Sequence, residues 1–228
     1  MARIHFISGE KGGVGKSFTS RVLAQYFIDQ KKPFANYDSD QSHATLSRFY
    51  ADYTKAVKVD DLESLDEILK QAEEKPELEI IVDLAAQTAK HLDVWIEESD
   101  LFEFLTEIDA TVYFWHVMDD GADSARLLDK YLRRYGDSPM QLIVVKNQGR
   151  GQDFSFFDNS EIAKKAKAAG AVFVTLPKLV AGLTQKIDFY NFSFWAATNN
   201  TKAMSAIERQ RAKKWLQDSY REIDLAFK

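Results

Sequence analysis

A glycine-rich decapeptide near the start of the chain constrains the fold more than any other feature. It reads S-G-E-K-G-G-V-G-K-S and occupies residues 8–17. An apolar run at residues 4–7 precedes it, and a helical pattern over residues 18–31 follows it directly. A strand, a glycine-rich turn, Lys-Ser and a helix, in this order, form the arrangement in which backbone N–H groups bind phosphate. The sequence therefore predicts a phosphate-binding loop between the first strand and the first helix.

The residue types of this loop suit the binding of a nucleoside triphosphate with Mg²⁺. The glycines permit backbone conformations that direct N–H groups at phosphate oxygens. Lys16 is placed to reach the β- and γ-phosphates, and the Ser17 hydroxyl is placed to bind Mg²⁺. The predicted nucleotide-binding residues of the loop are Gly12, Gly13, Val14, Gly15, Lys16, Ser17 and Phe18.

The loop departs from the strict G-x-x-x-x-G-K-[ST] pattern, because Glu10 stands where that pattern has its first glycine. The sequence K-G-G-V-G-K-S, with a second lysine at Lys11, resembles the deviant Walker A motif of the ParA/MinD family of partition, conjugation and cell-positioning ATPases. The resemblance implies ATP and Mg²⁺ as ligands, and an ATP-dependent homodimer in which Lys11 crosses to phosphates bound by the partner subunit. Spacing alone indicates only a second cation near the phosphates.

Size and composition fit one α/β domain with a sizeable core, since 45% of the 228 residues are hydrophobic and 29% are charged. A net charge of −5 means that any DNA contact requires a local basic patch. The absence of cysteine excludes thiolate metal sites, and with them the iron–sulfur ATPases that share this type of loop. Without a signal-peptide region or a run of 18 apolar residues, we expect a cytoplasmic protein that does not insert into membranes.

Two carboxylates follow a predicted second strand at residues 33–37, in the segment Asp38-Ser39-Asp40. At the carboxyl end of a strand facing the phosphate loop, they are well placed for Mg²⁺ and water. An acidic turn that caps a helix beginning near Ser42 is the alternative. The segment D-S-D-Q-S-H-A-T resembles the family's switch I, D-x-D-P-Q-G-N-A-T, in the shorter spacing of TraL- and StbB-type conjugation ATPases. By that resemblance Asp40 orients the attacking water and Asp38 supports the metal.

An apolar strand at residues 78–84 carries Asp83 near its end. This is a Walker B arrangement, in which the carboxylate holds a metal-bound water beside the phosphate loop. The family continues with D-x-P-P or D-x-P-A, whereas Ala85-Ala86-Gln87 follows here. The water-binding residue of this segment is therefore not assigned, with Gln87 as a candidate.

Three further buried strands are predicted at residues 110–117, 140–145 and 171–176. Asn147 follows the second of them, where family members have an asparagine that contacts adenine. A simple turn asparagine is the alternative. The resemblance also implies that residues 178–184, after the last strand, line the nucleotide.

Helical patterns cover residues 59–75, 89–105 and 201–227. The last pattern contains a basic group, Arg209, Arg211, Lys213 and Lys214, which is either a solvated face or a nonspecific contact with DNA phosphates. Seven residues at 189–195, F-Y-N-F-S-F-W, are rich in aromatics. They are either core or an exposed surface for a protein partner.

Strands alternating with helices predict a doubly wound, mostly parallel sheet with helices on both faces, forming a single P-loop ATPase domain over residues 1–228. The resemblance implies slow hydrolysis of ATP to ADP and phosphate, stimulated by a protein partner, with Lys11, Lys16 and Asp40 as catalytic residues. It also implies a role in plasmid partition, maintenance or conjugative transfer. The alternatives are a metabolic ligase of the dethiobiotin or cobyrinate synthetase type and an ATP-binding scaffold without hydrolysis.

Overall fold

The computed structural model describes residues 1–40 and 45–228, and seven parallel strands form one sheet in the order β3-β2-β4-β1-β5-β6-β7. All strand pairs in this sheet are parallel, as the alternation of strands and helices predicts. The strands are β1 (Arg3–Ser8), β2 (Phe34–Asp38), β3 (Thr54–Ala56), β4 (Glu79–Asp83), β5 (Thr111–Met118), β6 (Gln141–Asn147) and β7 (Val172–Leu176).

Helices cover both faces of the sheet, which confirms the predicted doubly wound fold. They are α1 (Lys16–Asp29), α2 (Thr45–Phe49), α3 (Leu62–Glu74), α4 (Ala89–Glu98), α5 (Leu101–Glu107), α6 (Ala122–Tyr135), α7 (Ser155–Asp158), α8 (Glu161–Ala168), α9 (Ala181–Phe189), α10 (Phe194–Asn199) and α11 (Ala206–Ile223). Short 3₁₀ helices lie at Ala51–Tyr53 and Asp224–Phe227. Within these described elements, no helix combines the length and the apolar composition needed to cross a membrane.

Two hydrophobic cores lie on opposite faces of the sheet, because alternate residues of each strand point to opposite sides. On one face, α3 to α8 cover Ile4, Phe6 and Ile80. On the other face, α1, α2 and α9 to α11 cover Ile7 and Ile81. The burial of both faces explains why the central strands are apolar almost throughout.

The strand register brings the predicted site residues together at the carboxyl ends of neighbouring strands. Ile7, just before the phosphate loop, pairs with Asp83 on β4. On the other side of β4, Asp83 pairs with Asp38 at the end of β2. The carboxyl ends of β1, β2 and β4 therefore meet around the start of α1, as expected for a ligand site in an open parallel sheet.

Two predicted helices differ from those in the structure, and one observed strand was not predicted. The helix predicted at 89–105 is divided into α4 and α5, because Asp100 adopts a left-handed conformation with φ of 43°. The helix predicted at 201–227 begins only after Ser205, which forms a capping box with Glu208. The short edge strand β3 was not predicted, since three residues carry too little periodicity. Residues 41–44 of the predicted switch I, including the helix start at Ser42, lie outside the described residues.

Candidate functional site

The phosphate loop joins β1 to α1 with two glycines in the left-handed region, Gly13 at φ of 79° and Gly15 at φ of 101°. A Cβ atom on Gly15 would lie 2.2 Å from Nδ2 of Asn147, so no side chain fits there. The same Asn147 amide donates a hydrogen bond of 2.8 Å to the carbonyl oxygen of Val14. The loop is thus held from outside by β6, and its shape depends on glycine at position 15.

Lys16 places a buried cation under the loop. Its ammonium group donates to the carbonyl oxygens of Gly9, at 2.8 Å, and Lys11, at 3.3 Å. Burial lowers the pKa of Lys16, and the negative charges of Asp83, Glu10 and Asp40 oppose that shift. A partly desolvated ammonium bound only to carbonyls within the described chain is well suited to neutralise a phosphate.

A cavity of about 270 Å³ opens over the loop. It brings together seven of the predicted site residues, which are Gly13, Gly15, Lys16, Ser17, Phe18, Asp40 and Asp83. Further lining residues were not singled out by the sequence, and they are Arg21, Thr45, Arg48, Leu84 and Asp188. Arg150, Ala85 and Ala86 complete the lining. Among the described residues, none of those at 178–184 lines this cavity.

Asp83 is only 2% exposed, and neither of its oxygens accepts a well-formed hydrogen bond from the described residues. Burial raises the pKa of its carboxyl to about 7, although the nearby Ser17 and Ser20 hydroxyls work in the opposite direction. A buried carboxylate without a well-formed hydrogen bond, beside serine hydroxyls, has the oxygen donors that Mg²⁺ prefers. These residues therefore fit a bound magnesium ion.

Asp38 is fully engaged in local structure. Its Oδ2 accepts from the backbone N–H groups of Leu46, at 2.9 Å, and Ser47, at 3.1 Å, while its Oδ1 accepts from the N–H of Asp40, at 3.1 Å. The capping of a following helix, which the sequence left open as an alternative, is therefore the observed role of this side chain. A contact with metal stays a prediction.

The segment after Asp83 is tied to the Asp38-Ser39-Asp40 segment. The Ala85 N–H donates to Ser39 Oγ at 2.8 Å. Ala85 and Ala86 line the cavity, whereas Gln87 is exposed with φ of 65° and is not among the lining residues described. The candidacy of Gln87 as a water-binding residue thus gains no support from its position.

Lys11 forms an ion pair of 2.5 Å with Asp119, which follows β5. Asp119 is itself fixed, because its Oδ1 accepts from the Ser124 hydroxyl at 2.6 Å and from the Gly121 N–H at 3.1 Å. Hydrogen bonding to Asp119 raises the pKa of Lys11. The second lysine of the motif is therefore held within its own subunit.

Asn147 is buried, and both ends of its amide are used: Nδ2 donates to Val14 and Oδ1 accepts from the Gly149 N–H at 2.9 Å. Its contact with Gly149 is the turn role that the sequence left open as an alternative, whereas its hold on the phosphate loop through Val14 was not predicted. Its predicted contact with adenine remains untested.

The basic group on α11 is less concentrated than its sequence indicates. Arg209 donates to the Met204 carbonyl at 2.6 Å, and Lys214 pairs with Asp218 at 3.4 Å. Arg211 and Lys213 are exposed. DNA binding by this helix remains a prediction.

The aromatic stretch divides between core and surface. Phe194 is fully buried, whereas Phe189 is 79% exposed and Trp195 58% exposed. Phe194 therefore belongs to the core, and a role of the exposed Phe189 and Trp195 in binding a protein partner stays a prediction.

Comparisons with known proteins agree with this fold. No protein-family model matches the chain. Over 186 residues, covering 81% of each chain, it is 22% identical to Protein MobD of Acidithiobacillus ferrooxidans. It is similar to the septum site-determining protein MinD of Pyrococcus horikoshii OT3, complexed with Mg-ADP, at a TM-score of 0.58, 14% identity and coverage of 99% of this chain and 98% of that one.

The MinD cell division protein of Aquifex aeolicus is also similar, at a TM-score of 0.55, 13% identity and coverage of 95% of this chain and 97% of that one. The MinC:MinD complex of the same organism gives a TM-score of 0.57, again at 13% identity, with coverage of 98% and 96%. The chain has the MinD-like P-loop NTPase fold.

Proposed function

We propose that this chain binds ATP with Mg²⁺ and hydrolyses it as a dimerising switch ATPase of the ParA/MinD type. The observation that carries this proposal is Asp83, a buried carboxylate beside the Ser17 and Ser20 hydroxyls and a phosphate loop, whose oxygens accept no well-formed hydrogen bond from the described residues. Such a buried carboxylate lowers the free energy of unfolding unless a cation binds to it. The Mg-ADP in the similar MinD of Pyrococcus horikoshii supports the choice of ligand.

The proposed binding step uses the groups that surround the cavity. The N–H groups of the loop and the Lys16 ammonium would hold the phosphates, while Ser17 and Asp83 would hold Mg²⁺, which would supply charge neutralisation. Arg150 adds a cation to the same cavity. This set of donors favours a polyanion over a neutral ligand.

The chemical step needs one water oriented toward the γ-phosphate. Asp40 is the candidate for this role, because its carboxylate lines the cavity and its backbone is fixed by Asp38. Lys16 stabilises negative charge as it develops. Ala85 and Ala86 offer no side-chain donor, so hydrolysis by the isolated chain is expected to be slow.

Dimerisation requires Lys11 to exchange Asp119 for phosphates of a partner subunit. This part of the proposal comes from the resemblance of the loop to the ParA/MinD motif. The same resemblance supports a protein partner that stimulates hydrolysis, and a role in plasmid partition, maintenance or conjugative transfer. Nonspecific DNA binding through α11 belongs to the same proposal.

Light scattering with Mg-ATP, Mg-ADP and no nucleotide tests the dimer directly. We expect a doubled mass with ATP alone. Lys16→Ala removes the principal phosphate cation and should abolish nucleotide binding. Lys11→Ala should bind ATP but dimerise and turn over poorly, because Lys11 acts on the partner's nucleotide. One mass under all three conditions would contradict the dimer model.

Steady-state ATP turnover separates the proposed switch from the two other functions. A switch ATPase turns over slowly and responds to a protein partner or DNA. A metabolic ligase requires a small acid for turnover, and a scaffold binds ATP without hydrolysis. Turnover that depends strictly on a small acid would replace the proposal with the ligase.

A further inference from the structure

Arg21 is the most unusual charged residue outside the predicted site. It lies on α1, four residues after Ser17, and is only 3% exposed. Its Nη1 donates to Asp188 Oδ1 at 2.9 Å, whereas Nε and Nη2 have no hydrogen-bond partner among the described residues. A guanidinium buried with two unused donors is costly, which calls for a role beyond packing.

The guanidinium of Arg21 connects three elements. Its central carbon lies 3.4 Å from the centroid of the Phe49 ring, at the end of α2. The ring of Phe194 on α10 is 5.2 Å away, and Asp188 belongs to α9. Arg21 therefore joins the phosphate-loop helix to α2 on one side and to the α9–α10 pair on the other.

Gln25, one turn further along α1, repeats this connection. Its Oε1 accepts from the Tyr50 hydroxyl at 3.1 Å and from the Trp195 N–H at 2.8 Å. The Tyr50 hydroxyl in turn accepts from the Phe194 N–H at 3.1 Å. Residues four apart on a helix share a face, so Arg21 and Gln25 hold the end of α2 at two neighbouring points.

The position of α2 bears directly on the proposed catalytic carboxylate. Asp38 accepts from the N–H groups of Leu46 and Ser47 in α2, and also from the N–H of Asp40. Arg21, Asp40 and Arg48 line the same cavity. Any displacement of α2 is thus transmitted through Asp38 to the segment that carries Asp40.

We propose that Arg21 is a positioning residue, which fixes α2 against the phosphate-loop helix and thereby sets the place of Asp40. This inference rests on the proposed ATPase function. Displacement of a reacting group by about 1 Å can cost on the order of 10²-fold in rate. Arg21 also lines the cavity, but the role assigned to it acts through Phe49 and α2.

The test compares Arg21→Met with wild type. We expect kcat to fall by about tenfold or more, with ATP affinity within about twofold, because the loop N–H groups, Lys16 and Ser17 are all retained. A loss of ATP affinity as large as the loss of kcat would make Arg21 a nucleotide contact and overturn the inference. Phe49→Leu should reproduce the loss, and the double variant should be no worse than either single change, since both break one contact. Arg21→Lys keeps the ion pair with Asp188 but loses the planar stacking, so an intermediate rate is expected.

Ile96→Ala, in the core on the opposite face of the sheet, is the control for lost stability. It should lower the thermal midpoint while preserving kcat below the transition. If Arg21→Met reduces kcat no more than Ile96→Ala does at matched stability, Arg21 is merely structural and the inference fails.

Hydrogen exchange without nucleotide provides a readout that does not depend on ATPase activity. Arg21→Met should speed exchange of the amides at 46–50, while those of α3 stay protected. Unchanged protection at 46–50 would overturn the inference. A wild-type protein without ATP hydrolysis would contradict the proposed function instead, and the exchange measurement would still decide whether Arg21 fixes α2.

Discussion

Asp83 is the residue at which the proposed ligand site is expected to lower the stability of the fold. Its carboxylate is buried, and no described residue donates a well-formed hydrogen bond to it. Asp83→Asn replaces the charge with a neutral amide of the same shape. At pH 8 without divalent cations, we expect the free energy of unfolding to rise by about 1–3 kcal/mol.

Urea denaturation of both proteins in EDTA measures this difference. Binding of Mg-ATP, followed by calorimetry, should be weakened in the same variant because a metal ligand is lost. A variant that is less stable than wild type in EDTA would show that Asp83 has a structural partner.

Asp40 is expected to affect the rate of ATP hydrolysis and not the affinity for ATP, unlike Asp83. Asp40→Ala should bind ATP normally, because Lys16, Ser17 and the loop make the phosphate contacts. Loss of a water-orienting group typically costs about 10²- to 10⁴-fold in rate. Single-turnover hydrolysis beside nucleotide affinity measures both quantities. Hydrolysis at the wild-type rate would remove Asp40 from the catalytic residues.

The contacts of individual site residues with distant parts of the chain could not be predicted from the sequence. Lys11 and Asp119 are 108 positions apart, Val14 and Asn147 are 133 apart, and Arg21 and Asp188 are 167 apart. Each pair depends on how helices and loops pack at the edge of the sheet, which no local pattern encodes. The loop itself was predictable because its glycines, lysines and serine are contiguous.

At the level of elements, the phosphate loop offers a matched pair of glycines. Gly15→Ala introduces a Cβ at positive φ and against Asn147, whereas a Cβ on Gly12 meets no described atom within 4 Å. The left-handed conformation alone costs an L-residue about 1–2 kcal/mol.

We therefore expect Gly15→Ala to lose at least that much stability, and with it the loop shape that we propose binds ATP. Gly12→Ala should stay within about 0.5 kcal/mol of wild type in the absence of nucleotide. Thermal denaturation of the two variants decides the point. Equal effects would mean that the loop is not held by β6.

The strands and helices themselves followed from apolar periodicity, with exceptions at places where one backbone angle or one cap decides. Asp100 breaks a continuous helical pattern through a left-handed turn, and Ser205 delays the start of α11 through its capping box. Aspartate and serine are both common at helix ends, but other residues of these types lie nearby in the sequence. The sequence therefore does not decide which of them ends or begins a helix. Tertiary contacts select among them.

At the scale of the whole molecule, a buried histidine leads us to expect that acid lowers the stability of the fold. His116, on β5, is buried with its Nε2 at 3.2 Å from the Ser124 carbonyl, and burial lowers its pKa to about 4, from 6.5. The unfolded chain therefore binds a proton below pH 6.5 that the folded chain accepts only near pH 4. The contribution of neutral His116 to the free energy of unfolding is intact above pH 6.5 and falls by about 3 kcal/mol on acidification to pH 4.

His116→Gln should reduce the loss of stability between pH 6.5 and 4 by about that amount, because glutamine does not titrate. Urea denaturation at several pH values measures the slope. His91→Gln, at an exposed histidine, is the matched control. Identical slopes for wild type and His116→Gln would show that the acid sensitivity arises elsewhere.

The central place of β1 matters for synthesis of the protein on the ribosome. Arg3 of β1 pairs with Glu79 and Thr111, so both neighbouring strands are made long after it. Arg3 and Glu79 are 76 residues apart, a length that takes on the order of 4–15 s at roughly 5–20 residues per second. For those seconds an apolar strand has no sheet to join, and the phosphate loop lacks Asp83. The proposed ATP site is therefore incomplete during this interval, and nucleotide is not expected to assist the earliest folding of the nascent chain.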